Sequence, residues 1–173
     1  MAVIEAIATT YLEADVSSVT FDDIPSTYEH LQIRASGRDA SPEAFESVYM
    51  RLGDSGHSPV DTGDNYTRHY MWVYATSEYA SATIAVNSMY LGKLAAATST
   101  STFYGCLIVD ILDYANANKN TTVSGLNFSG QGVSLKDCSG LWQDASVVNA
   151  VTIMGGGNFV RGSEFSLYGL KSS

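Results

Sequence analysis

The chain has 173 residues, a mass of 18.5 kDa, nine Lys plus Arg against eighteen Asp plus Glu, and a formal charge of −9. That is one domain's worth of sequence, and its acidity removes the electrostatic term on which general DNA or RNA binding rests. The 45% hydrophobic content is that of a globular domain with its own core. No run approaches the roughly 20 apolar residues of a membrane span, and no basic cluster precedes the first apolar positions as in a secretory leader.

In chain order, residues 1–15 form a candidate N-terminal docking arm or strand, because the apolar positions of 2–12 precede the first clear alternation; an ordinary edge strand is the plainer alternative. Alternation then sets in at Val19 and Phe21, at Leu31, Ile33 and Ala35, and at Val48, Met50 and Leu52. Segments 66–75, 83–91, 102–112, 121–128, 132–142 and 147–154 follow, and Phe165, Leu167 and Gly169 close the set. Period-two alternation marks strands with one face on a core. About ten such strands at 8–12-residue spacing predict an all-β sandwich or barrel in one domain. Helix signals amount to single turns at 41–46 and 113–118. The predicted inward set is Val19, Phe21, Leu31, Ile33, Val109, Ile111, Phe165 and Leu167. The small-residue run 94–102 is predicted as a loop inside the domain, and Gly155-Gly156-Gly157, which lacks the Lys-Ser/Thr of a phosphate loop, as a turn.

The chemistry-bearing residues are sparse. His30, His57 and His69 lie at no metal-ligand spacing, no GxSxG elbow occurs, and the pairs Asp22-Asp23 and Asp110/Asp113 are turn-like acids; an enzyme is not expected. Cys106 and Cys138 show no CxxC spacing and are expected as free thiols with Cys106 in the core, a bridge between them staying open. Loop 54–65 gathers Asp54, Asp61 and Asp64 with Gly and Asn, oxygen ligands suited to calcium, although it lacks an EF-hand's spacing and the same residues also make plain turns. No other cofactor is expected. In 66–74 both parities carry large side chains, so this strand is either covered on both faces or lies at a contact. Arg68, Tyr70, Trp72 and Tyr74 are its candidate binding or interface residues, by type those enriched at interfaces.

Several stretches together carry a resemblance: Val19-Thr20-Phe21-Asp22-Asp23-Ile24-Pro25, Thr62-Gly63-Asp64-Asn65-Tyr66, Val109-Asp110-Ile111-Leu112-Asp113-Tyr114-Ala115-Asn116, Ser139-Gly140-Leu141-Trp142, and Asn158-Phe159-Val160 through Phe165-Ser166-Leu167-Tyr168-Gly169-Leu170. Spanning nearly the whole chain, this resembles a group of small virion proteins of tailed bacteriophages. The resemblance implies a jelly-roll-like β-sandwich and no catalytic residues. It further implies a capsid decoration, or cement, protein made in the host cytoplasm and bound to the outer surface of the head. Its partner would be the major capsid protein, with self-association as a trimer favoured over a dimer. A tail- or fibre-associated module that binds a receptor glycan is the alternative. Neither nucleic acid nor membrane is an expected partner. The loop between Gly53-Asp54 and Gly63-Asp64 departs from the group in being longer.

Overall fold

The computed structural model describes residues 3–129 and 134–171, all strand, turn or loop with no helix. Residues 1 and 2 of the N-terminal candidate and the first two residues of segment 132–142 lie outside the described residues. Among the described residues twelve strands form: β1 (Val3–Tyr11), β2 (Val16–Phe21), β3 (His30–Gly37), β4 (Phe45–Gly53), β5 (Tyr66–Tyr74), β6 (Ser77–Val86), β7 (Met89–Ala95), β8 (Gly105–Leu112), β9 (Thr121–Phe128), β10 (Ser134–Trp142), β11 (Ala150–Phe159) and β12 (Glu164–Lys171). They build two antiparallel sheets, an eight-stranded one in the order β1-β12-β3-β8-β9-β10-β5-β6 and a four-stranded one in the order β2-β11-β4-β7.

The order shows how the chain is wound. Consecutive strands β1 to β4 alternate between the sheets, and β7, β8, β11 and β12 retrace that path, so β1-β12-β3-β8 faces β2-β11-β4-β7 in the eight-strand jelly-roll arrangement. Two hairpins are added to it. β5–β6 lies between β4 and β7 in sequence, β9–β10 between β8 and β11, and both extend the larger sheet beyond β8.

The eight residues expected to face inward are all buried, within a core that also holds Val48, Met50, Leu52, Tyr66, Leu91, Trp142, Ile153 and Phe159. The N-terminal segment forms a strand at the edge of the larger sheet, as in the plainer alternative: β1 pairs with β12 along its length, from Val3 opposite Lys171 to Tyr11 opposite Glu164. Three expectations are corrected. Segment 83–91 is not one strand, because Asn87 and Ser88 break it into the end of β6 and the start of β7. Gly155–Gly157 is not a turn but the irregular half of β11, where the buried Asp39 carboxylate packs so closely that a Cβ at Gly155 or Gly157 would collide with it. Cys106 faces outward and is exposed while Cys138 is buried, and both are free thiols.

The small-residue loop after β7 does stay within the domain, and one side chain organises it. The buried guanidinium of Arg38 donates to the carbonyl oxygens of Thr100 (2.8 Å), Phe103 (2.9 Å), Ser99 (2.9 Å) and Ala97 (3.4 Å). Small residues cannot pack a loop on their own; here backbone carbonyls converge on one planar cation.

Candidate functional site

Because β7 is the edge of the smaller sheet, the inner face of the added β5–β6 hairpin is left partly uncovered beside it. Arg68, Tyr70, Trp72 and Tyr74 share one parity of β5, and all four line the resulting groove of about 510 Å³. Tyr49 and Ser47 of β4, Tyr90 and Lys93 of β7, and Ser134 and Lys136 of β10 complete it. The four candidates from β5 are thus brought together in one site. The outer face of the same strand carries His69, Met71 and Val73.

The aromatic rings form a continuous row. Tyr49 meets Tyr90 edge-on at 5.9 Å between centroids, Tyr90 lies 4.6 Å from Tyr70, Tyr70 lies 5.3 Å from Trp72, and Trp72 stacks on Tyr79 of β6 at 4.6 Å. Offset and edge-on contacts of this kind suit the ring quadrupoles and hold the row rigid. Desolvation holds the Tyr90 hydroxyl well above the ordinary tyrosine range, so it stays protonated.

Three of the chain's nine Lys and Arg enter this one groove. The Arg68 guanidinium lies 5.9 Å from the Tyr49 ring centre, and its buried Nε has no hydrogen-bond partner among the described residues. Lys136 is only 5% exposed. Its Nζ donates to Ser134 Oγ at 2.7 Å and sits 5.7 Å from the Trp72 ring centre. Burial first, and the neighbouring Lys93 charge second, push the Lys136 amine down to about 8. Among the described residues no Asp or Glu lines the groove, and none of the three cations belongs to an ion pair. Lys93 is positioned by Asn127 of β9, whose Oδ1 accepts the Lys93 N–H (2.9 Å) while its Nδ2 donates to the Cys106 carbonyl (3.0 Å), tying the β7 edge to the larger sheet. Gly92, at φ +121°, makes room for that amide, and a Cβ there would overlap it.

The acidic loop is built differently. Asp61 accepts from Gly63 N–H (2.8 Å) on Oδ1 and from Asn65 Nδ2 and the Trp142 indole (2.9 Å each) on Oδ2. Its backbone carbonyl accepts the Tyr66 hydroxyl (3.0 Å), so it serves as the hub of a folded end. Asp54 caps the next turn through Gly56 N–H (2.8 Å) and binds His57 Nδ1 (2.7 Å). Among the described residues the one set of three possible ligands with converging atoms is Asp54, His57 and Asp144. Asp61 and Asp64 are not part of it, so the calcium set expected from sequence is not brought together, and Asp64 is exposed.

The outer face of the larger sheet is apolar where the added strands lie. Register aligns Ile108, Leu126, Asp137 and Met71 in one row across β8, β9, β10 and β5, and Cys106, Phe128, Leu135 and Val73 in the next. Leu126 is 51% and Met71 60% exposed, and the other apolar members are exposed too.

No family model matches the chain, and no curated protein matches it.

Proposed function

We propose that the chain is a non-enzymatic virion protein of a tailed bacteriophage that binds the outside of the head and stabilises it, with a tail position as the alternative. The observation that carries the reading is the apolar outer face of β8–β9–β10–β5, built where the added hairpins extend the larger sheet beyond β8. Contiguous exposed apolar surface of this kind marks interaction sites. The major capsid protein is the partner, and a trimer, with a dimer next, is the form in which the protein binds. Closed symmetry leaves no unsatisfied contact, and threefold positions recur across an icosahedral shell. A rigid body that bridges neighbouring shell subunits needs only modest contacts, because the second is made at high effective concentration.

Undecorated heads mixed with the purified protein provide the test. Wild type is expected to co-sediment with heads and raise their heat resistance, whereas Leu126→Asp and Met71→Asp, folded by circular dichroism, lose attachment at least tenfold. Normal attachment of both variants, or particle images that place the chain on the tail, would overturn the head reading.

A further inference from the structure

The groove beside β7 has chemistry that the proposed docking face does not use. We propose that it binds an acidic saccharide, with sugar rings laid against Tyr74 and Trp72 and a sugar carboxylate held among Arg68, Lys93 and Lys136.

Each part of the ligand answers an observed feature. The row of rings runs through Tyr70 to Trp72, and the exposed Tyr74 lines the groove from the same parity of β5; together they offer apolar surface with polar edges, matching the C–H face and hydroxyl rim of a pyranose. The volume of about 510 Å³ falls within the range of small-ligand sites. The three cations lack carboxylate partners, and the Arg68 Nε–H lacks any acceptor among the described residues. A guanidinium beside two ammonium groups is a receptor for a planar oxyanion, and burial strengthens such bonds. Lys136 is already desolvated next to a like charge, so an incoming anion relieves a cost that folding has incurred.

Charge also selects against the other ligand that aromatic and cationic grooves take. A single-stranded nucleic acid presents a phosphate at every residue to a protein of net charge −9, whereas a saccharide with one or a few carboxylates meets three local cations and little of the surrounding repulsion. The inference stands whether the chain sits on a head or a tail.

The test is calorimetric titration of the full chain with a galacturonate tetramer, a glucuronate-containing tetramer and sialyllactose, each paired with its carboxyl-reduced neutral counterpart. A single-stranded oligonucleotide is the competing probe. At least one acidic saccharide is expected to bind tenfold or more tightly than its neutral partner. Trp72→Ala and Lys136→Met should each weaken it at least tenfold, Lys136→Arg should largely restore it, and Met71→Asp on the opposite face should leave it unchanged. Should Lys136→Met fail to fold, Lys93→Gln carries the same expectation. The proposal is overturned if no acidic probe is preferred over its neutral form, if the groove variants bind like wild type, or if the oligonucleotide outbinds every saccharide.

Discussion

Arg38 and Lys136 are both buried cations, at 7% and 5% exposure, yet their surroundings differ in kind. Arg38 is closed on four carbonyl oxygens, which a planar fork of donors can reach at once. Lys136 has one serine hydroxyl, a tryptophan face and a second lysine nearby. Burying a charge is costly unless its hydrogen bonds are replaced. The Arg38 region replaces them and is therefore architecture. The Lys136 region does not, and a cation left in that condition at the wall of an open groove is prepared for something from outside.

The largest expected effect breaks the satisfied side of this comparison. Arg38→Ala leaves the carbonyls of the 97–103 loop without their donor and should cost about 3–4 kcal/mol, read as a lowered denaturant midpoint. The opposite sign is expected in the groove. Lys136→Met should stabilise the free protein by roughly 2–3 kcal/mol at pH 7, because it removes a desolvated charge with no counter-ion. The sign follows from proton binding. The folded amine titrates at about 8 against 10.5 for a free lysine, so the unfolded chain holds the proton more tightly between those values. The Lys136 contribution to stability therefore rises from pH 8 to 10.5, and the advantage of the Met variant over wild type fades across the same window. The charged groups facing Lys136 are Lys93 from β7 and Arg68 from β5, with the Tyr49, Tyr70, Tyr74 and Tyr90 hydroxyls around them.

Asp61 gives a smaller, acid-side counterpart. Burial pushes its carboxyl up, but hydrogen bonds from the Trp142 indole, Asn65 and the Gly63 N–H outweigh that and hold it below the usual range. Its contribution is present above the unfolded value of 3.8 and is lost as pH falls through the folded one. Asp61→Asn should cost about 1–2 kcal/mol at pH 7 and converge on wild type in acid, measured by urea unfolding across pH 2–7. The smallest effect belongs to Trp72→Ala. Trp72 is only half-buried at the groove, so stability should change by less than about 1 kcal/mol while saccharide binding falls.

The strands were legible because a buried face imposes parity on its side chains: Leu31, Ile33, Phe165 and Leu167 could face only inward if their neighbours were polar. Parity failed where both faces are apolar. Cys106-Leu107-Ile108-Val109 gives no cue to which residues turn outward, and Cys106 is exposed on the outer face with the equally apolar Ile108, Leu126 and Phe128. In 83–91 the Asn87-Ser88 turn is too short to interrupt a β-like composition. The same logic divides the site. Arg68, Tyr70, Trp72 and Tyr74 needed only one strand's alternation. Tyr49, Tyr90, Lys93 and Lys136 reach them through the pairing of β10 with β5 and the packing of β7 across the sheets, which one sequence does not display. One signal was available: Lys136 shares parity with Cys138 and Trp142 on β10, and a lysine on a core-facing parity needs a reason.

The Lys136 amine itself decides between these views of the groove. Its side-chain carbon and nitrogen resonances, followed by NMR through a pH titration of the free protein and assigned with Lys136→Arg, should show a midpoint of about 8 that moves upward when the preferred acidic saccharide is bound. A midpoint near 10.5 in the free protein, unmoved by that saccharide, would mean that the ammonium is already satisfied and that the two buried cations are alike after all.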